Sequence, residues 1–263
     1  MKRACYKDTP RGRLWMHIDL PPDGSARRRP GLVLFFGGGW TGGTIRQFRP
    51  QAKYLAERGM VVARAAYRVA SRHGVRPDAC VEDGKSAVRW LRANAAEFGV
   101  DPSRIAAGGG SAGGHVAACA ALVRGFESDD EDRSVSSRPD LLVLFNPVMD
   151  CMTDWVIERF GGKAAARELS PVHVLDADAP PAVLFFGRKD PYLAGARKYV
   201  ARAGRLGVEA RLWLADGQDH AFFNRSPWRQ RTLYLADRFL AEHGYLAGEP
   251  TIRPPDGVGM ECE

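Results

Sequence analysis

One serine stands among five glycines in Gly108-Gly109-Gly110-Ser111-Ala112-Gly113-Gly114. Two chemistries suit such a stretch. The glycines can cradle a phosphate, or they can let the chain turn sharply enough to lift a nucleophile. The phosphate reading has two matches to G-x-G-x-x-G, at Gly37–Gly42 and at Gly108–Gly113. A dinucleotide fingerprint also needs an acid at the end of the next strand, about 20 residues on. The next apolar runs end in Ala66-Tyr67-Arg68 and Phe145-Asn146-Pro147, and neither supplies one. Gly84-Lys85-Ser86 imitates a P-loop, but Ala79 stands where its leading glycine belongs.

The nucleophile reading is better supplied. Gly109-Gly110-Ser111-Ala112-Gly113 is G-x-S-x-G, placed between an apolar strand-like run and a helix-like one. A serine hydroxyl needs a base, and the base needs an orienting carboxylate. In this topology the chain order is serine, acid, histidine. Asp190 follows the buried run Ala182–Phe186, and His220 follows Ala210–Leu214. Both therefore fall at the same strand ends as Ser111. Asp178 lies at the wrong end of its strand, and Asp216 and Asp219 lie too near His220. His115, four residues after Ser111, is expected one helical turn below it as a packed residue. Acyl transfer also needs fixed N–H donors for the carbonyl oxygen. Phe35-Phe36-Gly37-Gly38-Gly39-Trp40 is the candidate loop. Gly38, Gly39 and Ala112 are the expected donors, and Trp40 is the expected substrate-binding residue.

Elements must bring these residues together. Leu32–Phe36, Met60–Ala66, Ile105–Ala107, Leu141–Phe145, Ala182–Phe186 and Ala210–Leu214 read as strands buried on both faces. Between them lie helical patterns near 48–58, 78–98, 112–124, 194–205 and 226–243. Val81, Gly84, Val88, Leu91 and Ala95 form one stripe of the second. The alternation predicts an α/β fold, a mostly parallel sheet with helices on both faces. Arg13–Leu20 alternates instead and is expected as an antiparallel edge strand. Residues 125–140 read as a surface loop. Residues 152–174 are expected to form a short helical lid. Residues 1–247 make one domain in this reading, and 248–263 a flexible tail.

Composition narrows the classes. The net charge of +7 is spread along the chain, with tight runs only at 27–29 and 229–231, so nucleic acid is not an expected partner. The five cysteines are scattered and form no C-x-x-C pair, which argues against a disulfide framework or a zinc site. No cofactor or metal is expected. No apolar run is long enough to span a membrane. The N-terminal residues lack the apolar run of a signal peptide, which makes a cytoplasmic location the default.

With these residues assembled, the chain resembles the α/β-hydrolase superfamily from about Leu14 to Leu246. More narrowly it is similar to small bacterial carboxylesterases of the acetylesterase, hormone-sensitive-lipase-like and feruloyl-esterase-like group. FFGGGW, the helix with Ala87-Val88-Arg89-Trp90-Leu91, GGSAGGH, Leu169-Ser170-Pro171, the Asp190 turn and DHAFFN carry the resemblance. It implies hydrolysis of small acyl esters, acetyl or aryl, or of decorated carbohydrates. A peptidase, amidase or formamidase with the same triad is the alternative, and a non-catalytic binding module ranks below it. Two positions depart from the group. Phe36 stands where a loop-organising histidine is usual, and Asp219 where a glycine usually precedes the histidine.

Overall fold

A computed structural model describes residues 1–23 and 28–263; Arg27 of the basic run lies outside the described residues. The strands are β1 (Lys2–Lys7), β2 (Leu14–Asp19), β3 (Arg29–Phe35), β4 (Val61–Ala65), β5 (Val100–Gly110), β6 (Leu141–Phe145), β7 (Ala182–Gly187), β8 (Ala210–Ala215) and β9 (Glu261–Cys262). The helices are α1 (Arg49–Glu57), α2 (Ala70–His73), α3 (Pro77–Ala93), α4 (Ala95–Phe98), α5 (Ala112–Leu122), α6 (Asp154–Phe160), α7 (Lys163–Glu168), α8 (Pro171–Val174), α9 (Leu193–Leu206) and α10 (Trp228–Glu242).

The strands form one sheet in the order β1-β2-β4-β3-β5-β6-β7-β8-β9. β4 through β8 run parallel, and β1, β2 and β9 pair antiparallel at the two sides. Side chains alternate across this sheet. Val33 and Phe35 join a core with α3, α5 and α9, while Leu32 and Leu34 join a second core with α1 and α10. The chain leaves β3 toward β4 on one side and returns to β5 on the other. That reversal opens a crevice at the carboxyl ends of β3 and β5. The glycine loop follows β3 and the serine turn follows β5, so both flank this crevice.

Local chemistry sets the helix limits. Pro77 opens α3 with Asp78 in its first turn. The expected single helix over 78–98 is interrupted at Asn94, and left-handed Gly99 ends the short α4. The 125–140 loop is held by buried cations of α3: Lys85 meets Glu127 at 2.8 Å, and Arg89 meets Glu131 at 2.6 Å.

Two expectations are corrected. Arg13–Leu20 does pair antiparallel, as β2, but β1 covers its outer side and takes the edge. The tail expected to be flexible instead closes the other edge. Glu261–Cys262 pairs with β8, and the Glu263 N–H donates to the Leu212 carbonyl at 2.8 Å. Met260 is buried in the second core, and Ile252 packs against it. Residues 152–174 form the three short helices α6, α7 and α8.

Candidate active site

Ser111 sits between β5 and α5 with φ 52° and ψ −120°. A non-glycine residue rarely adopts this conformation, and it costs about 1–3 kcal/mol. Its surroundings hold it there. The Ser111 N–H donates to the Phe145 carbonyl at 2.9 Å, and its own carbonyl accepts the His115 N–H at 3.0 Å. The glycines two residues away are required by close approach. A Cβ on Gly113 would overlap the Phe35 and Phe36 carbonyls, and one on Gly109 would overlap the Gly113 backbone. The turn lifts the hydroxyl above the N-terminus of α5, where the first helical N–H groups have no partner inside the helix.

The base and acid converge there. His220 Nε2 lies 2.9 Å from Ser111 Oγ, and His220 Nδ1 lies 2.7 Å from Asp190 Oδ2. Asp190 follows β7 and is 5% exposed; its other oxygen accepts the Tyr192 N–H at 2.9 Å. A carboxylate accepts only, so Nδ1 carries the proton and Nε2 is left to accept the serine hydroxyl. Asp219, the unusual neighbour, turns outward and pairs with Arg225 at 3.1 Å. It leaves the relay untouched.

The glycine loop carries Phe36 where the resemblance leads to the expectation of a histidine. Phe36 stacks on Tyr67 at 4.3 Å between ring centres, and the Tyr67 hydroxyl donates to the Phe36 carbonyl at 2.6 Å. Gln47 accepts the Gly37 N–H at 2.7 Å. The Gly38 carbonyl accepts the N–H groups of Thr41 and Gly42. Gly38 has φ 139°, and a Cβ there would overlap the Gly42 carbonyl. The Gly37 N–H is thus engaged by Gln47, and Gly38 and Gly39 follow it in the loop. Ala112 is the first residue of α5.

Trp40 is corrected. It is fully buried, packed on His115 and Phe160, and its Nε1–H donates to His115 Nδ1 at 3.3 Å. It shapes the loop from behind and offers no face to a substrate. The exposed aromatic is Trp155 of α6, 45% accessible, whose ring edge stands over Gly39. Tyr192 lies 6.3 Å from it and 5.2 Å from the His220 ring. Neither residue was singled out by the sequence, because its place depends on how the 152–174 segment and the Asp190 turn fold over the sheet. His115 is buried as expected. Burial lowers its pKa to about 4, opposed by its bond to the Leu169 carbonyl at 2.7 Å. Among the described residues, no group of three or more histidines, cysteines or acids is placed to hold a metal.

A strained serine at a strand-to-helix turn, with histidine and aspartate brought from later strand ends, defines an α/β-hydrolase. The BD-FAE family model matches residues 16–153. The chain belongs to this family. Among solved structures it is similar to the apo form of Thermogutta terrifontis esterase 2. The two are 41% identical, with a TM-score of 0.90 over 94% of this chain and 96% of that one. The same esterase, solved phosphonylated by sarin, superposes equally well. Among curated proteins it is similar to the probable carboxylic ester hydrolase LipM of Mycobacterium tuberculosis, 34% identical over 67% of this chain and 44% of that protein. Esterase LipQ of the same organism is 32% identical over 70% of this chain and 47% of that protein. The chain thus spans about half the length of these curated relatives.

Proposed function

We propose that the protein is a serine carboxylic-ester hydrolase acting on small acyl esters through an acyl-enzyme. The hydrogen-bonded relay Asp190–His220–Ser111, ending on a strained serine, carries this reading. Ser111 Oγ bonds to the ester carbonyl carbon as its proton passes to His220 Nε2. Asp190 holds the Nδ1–H tautomer and stabilises the imidazolium. The N–H groups of Gly38, Gly39 and Ala112 stabilise the charge that develops on the carbonyl oxygen, at roughly 3 kcal/mol per donor. The carbon–oxygen bond to the alcohol then breaks, and His220 returns the proton to the departing oxygen. Water repeats the sequence: it gives a proton to His220 and attacks the acyl carbon, and Ser111 Oγ departs and is reprotonated.

Short acyl groups are the expected substrates. The similar Thermogutta esterase has been solved with propionate and with butyrate. Here the cover is three short helices, with Trp155 standing over the glycine loop. The test is hydrolysis of p-nitrophenyl acetate, butyrate and octanoate by wild type and Ser111→Ala. The expected result is activity that falls at octanoate and drops at least about 1000-fold in Ser111→Ala. Activity that survives Ser111→Ala would remove the mechanism.

A further inference from the structure

Asn146 plays no part in the mechanism above, yet it is fully buried beside the relay. It follows β6 directly, and its φ of 38° is one that asparagine tolerates better than most residues. Its N–H donates to the Phe185 carbonyl at 2.8 Å. The preceding residue, Phe145, accepts the Ser111 N–H. The end of β6 is thus tied to the nucleophile on one side. On the other it is tied to the base. Asn146 Oδ1 accepts the Ala221 N–H at 3.2 Å, next to His220. That backbone donor fixes which way the amide faces. Its NH2 group must then point at His220 Nε2, 3.4 Å away.

Two donors therefore converge on one imidazole lone pair. In the resting enzyme Ser111 Oγ is the nearer, at 2.9 Å. In the acyl-enzyme Ser111 Oγ is esterified and has no hydrogen to donate. The Asn146 amide is then the donor that remains within reach among the described residues. We infer that Asn146 is a positioning residue for deacylation: it holds the His220 ring through Nε2 while the serine is acylated, until water takes that place. This inference rests on the acyl-enzyme reading above.

The consequence is a split between the two half-reactions. Acylation starts with Ser111 in place as the Nε2 partner, so kcat/KM should change less than twofold in Asn146→Gly, which keeps a backbone suited to positive φ. Deacylation starts without that partner, so kcat on p-nitrophenyl acetate should fall about tenfold, with KM falling in parallel. A stopped-flow burst of one p-nitrophenol per enzyme should accompany it. Asn146→Ala should split the same way. Equal falls in kcat and kcat/KM without a burst would reduce Asn146 to a loop anchor and overturn the inference, as would unchanged kinetics. A second readout needs no turnover. In Ser111→Ala, the His220 Nε2 15N resonance should sit at its hydrogen-bonded position and move to the unbonded one when Asn146→Gly is added. No movement overturns the inference even if the wild type hydrolyses no ester, an outcome that would strike the proposed function instead.

Discussion

His115 shows how one residue below the serine ties the site to pH. Its ring is enclosed by Trp40, Phe160, Cys119 and the Leu169 carbonyl. Nδ1 accepts from Trp40 and Nε2–H donates to Leu169, so the neutral ring satisfies both partners. A second ring proton would meet the Trp40 N–H, donor against donor. Burial accordingly lowers the folded pKa to about 4, against about 6.5 in the unfolded chain. The unfolded state binds the extra proton first, so stability is whole above pH 6.5 and is lost as pH falls toward 4. About 3 kcal/mol is at stake across that window. Urea denaturation at pH 7.5 and 4.5 measures it. His115→Gln should be less stable than wild type at pH 7.5 and lose less on acidification. An equal pH slope in both proteins would place the acid sensitivity elsewhere.

At the scale of elements, the loop after β3 carries Phe36 and keeps its shape through Tyr67. The Phe36 side chain makes no hydrogen bond, and Tyr67, just beyond β4, supplies one to the Phe36 carbonyl while its ring stacks on Phe36. Tyr67→Phe removes that bond and leaves the carbonyl unpaired in the core, a cost of about 1–3 kcal/mol. The loop donors are expected to lose their aim, and kcat/KM on p-nitrophenyl acetate should fall about tenfold. A drop in the urea midpoint with unchanged kcat/KM would show that Tyr67 supports the core and not the loop. The sequence made much of this legible. FFGGGW and GGSAGGH announced both turns because a tight turn restricts residue type locally, and the runs in β3 to β7 read as apolar because both their faces are buried, while β8 keeps Arg211 and Trp213 half-buried on one face. Lys2–Lys7 did not read as a strand, since only its Tyr6 is buried and three of its six residues, Lys2, Arg3 and Lys7, are charged. Asn146 was equally silent. Its partner His220 is 74 residues away, and only the sheet order brings the ends of β6 and β8 to one place.

Across the whole molecule, the two ends of the chain perform the same task at opposite sides of the sheet. β1 covers β2, and β9 covers β8, so neither β2 nor β8 is left as an open edge. A two-residue strand of glutamate and cysteine carries no strand signal of its own, and its pairing comes from the unmet backbone groups of β8. The residues around it add anchors. Arg188 reaches Glu261, Arg197 meets Glu263 at 2.8 Å, and Met260 enters the core beneath. Burial of Met260 contributes about 1.5–3 kcal/mol, and the exposed ion pairs contribute little. β8 leads directly into the loop that carries His220, yet that end is also held by β7, with Gly187 opposite Ala215. Deleting residues 260–263 should therefore separate stability from chemistry. The unfolding free energy should fall by about 2–3 kcal/mol, and light scattering should grow with concentration as β8 becomes an open edge. Turnover per site, with sites counted by paraoxon titration, should stay within about twofold of the full chain, because loss of a distant edge strand removes no group that acts in the transition state. A large loss of turnover per titrated site would show that β9 also sets the position of His220, and an unchanged urea midpoint would show that the tail adds nothing to the fold.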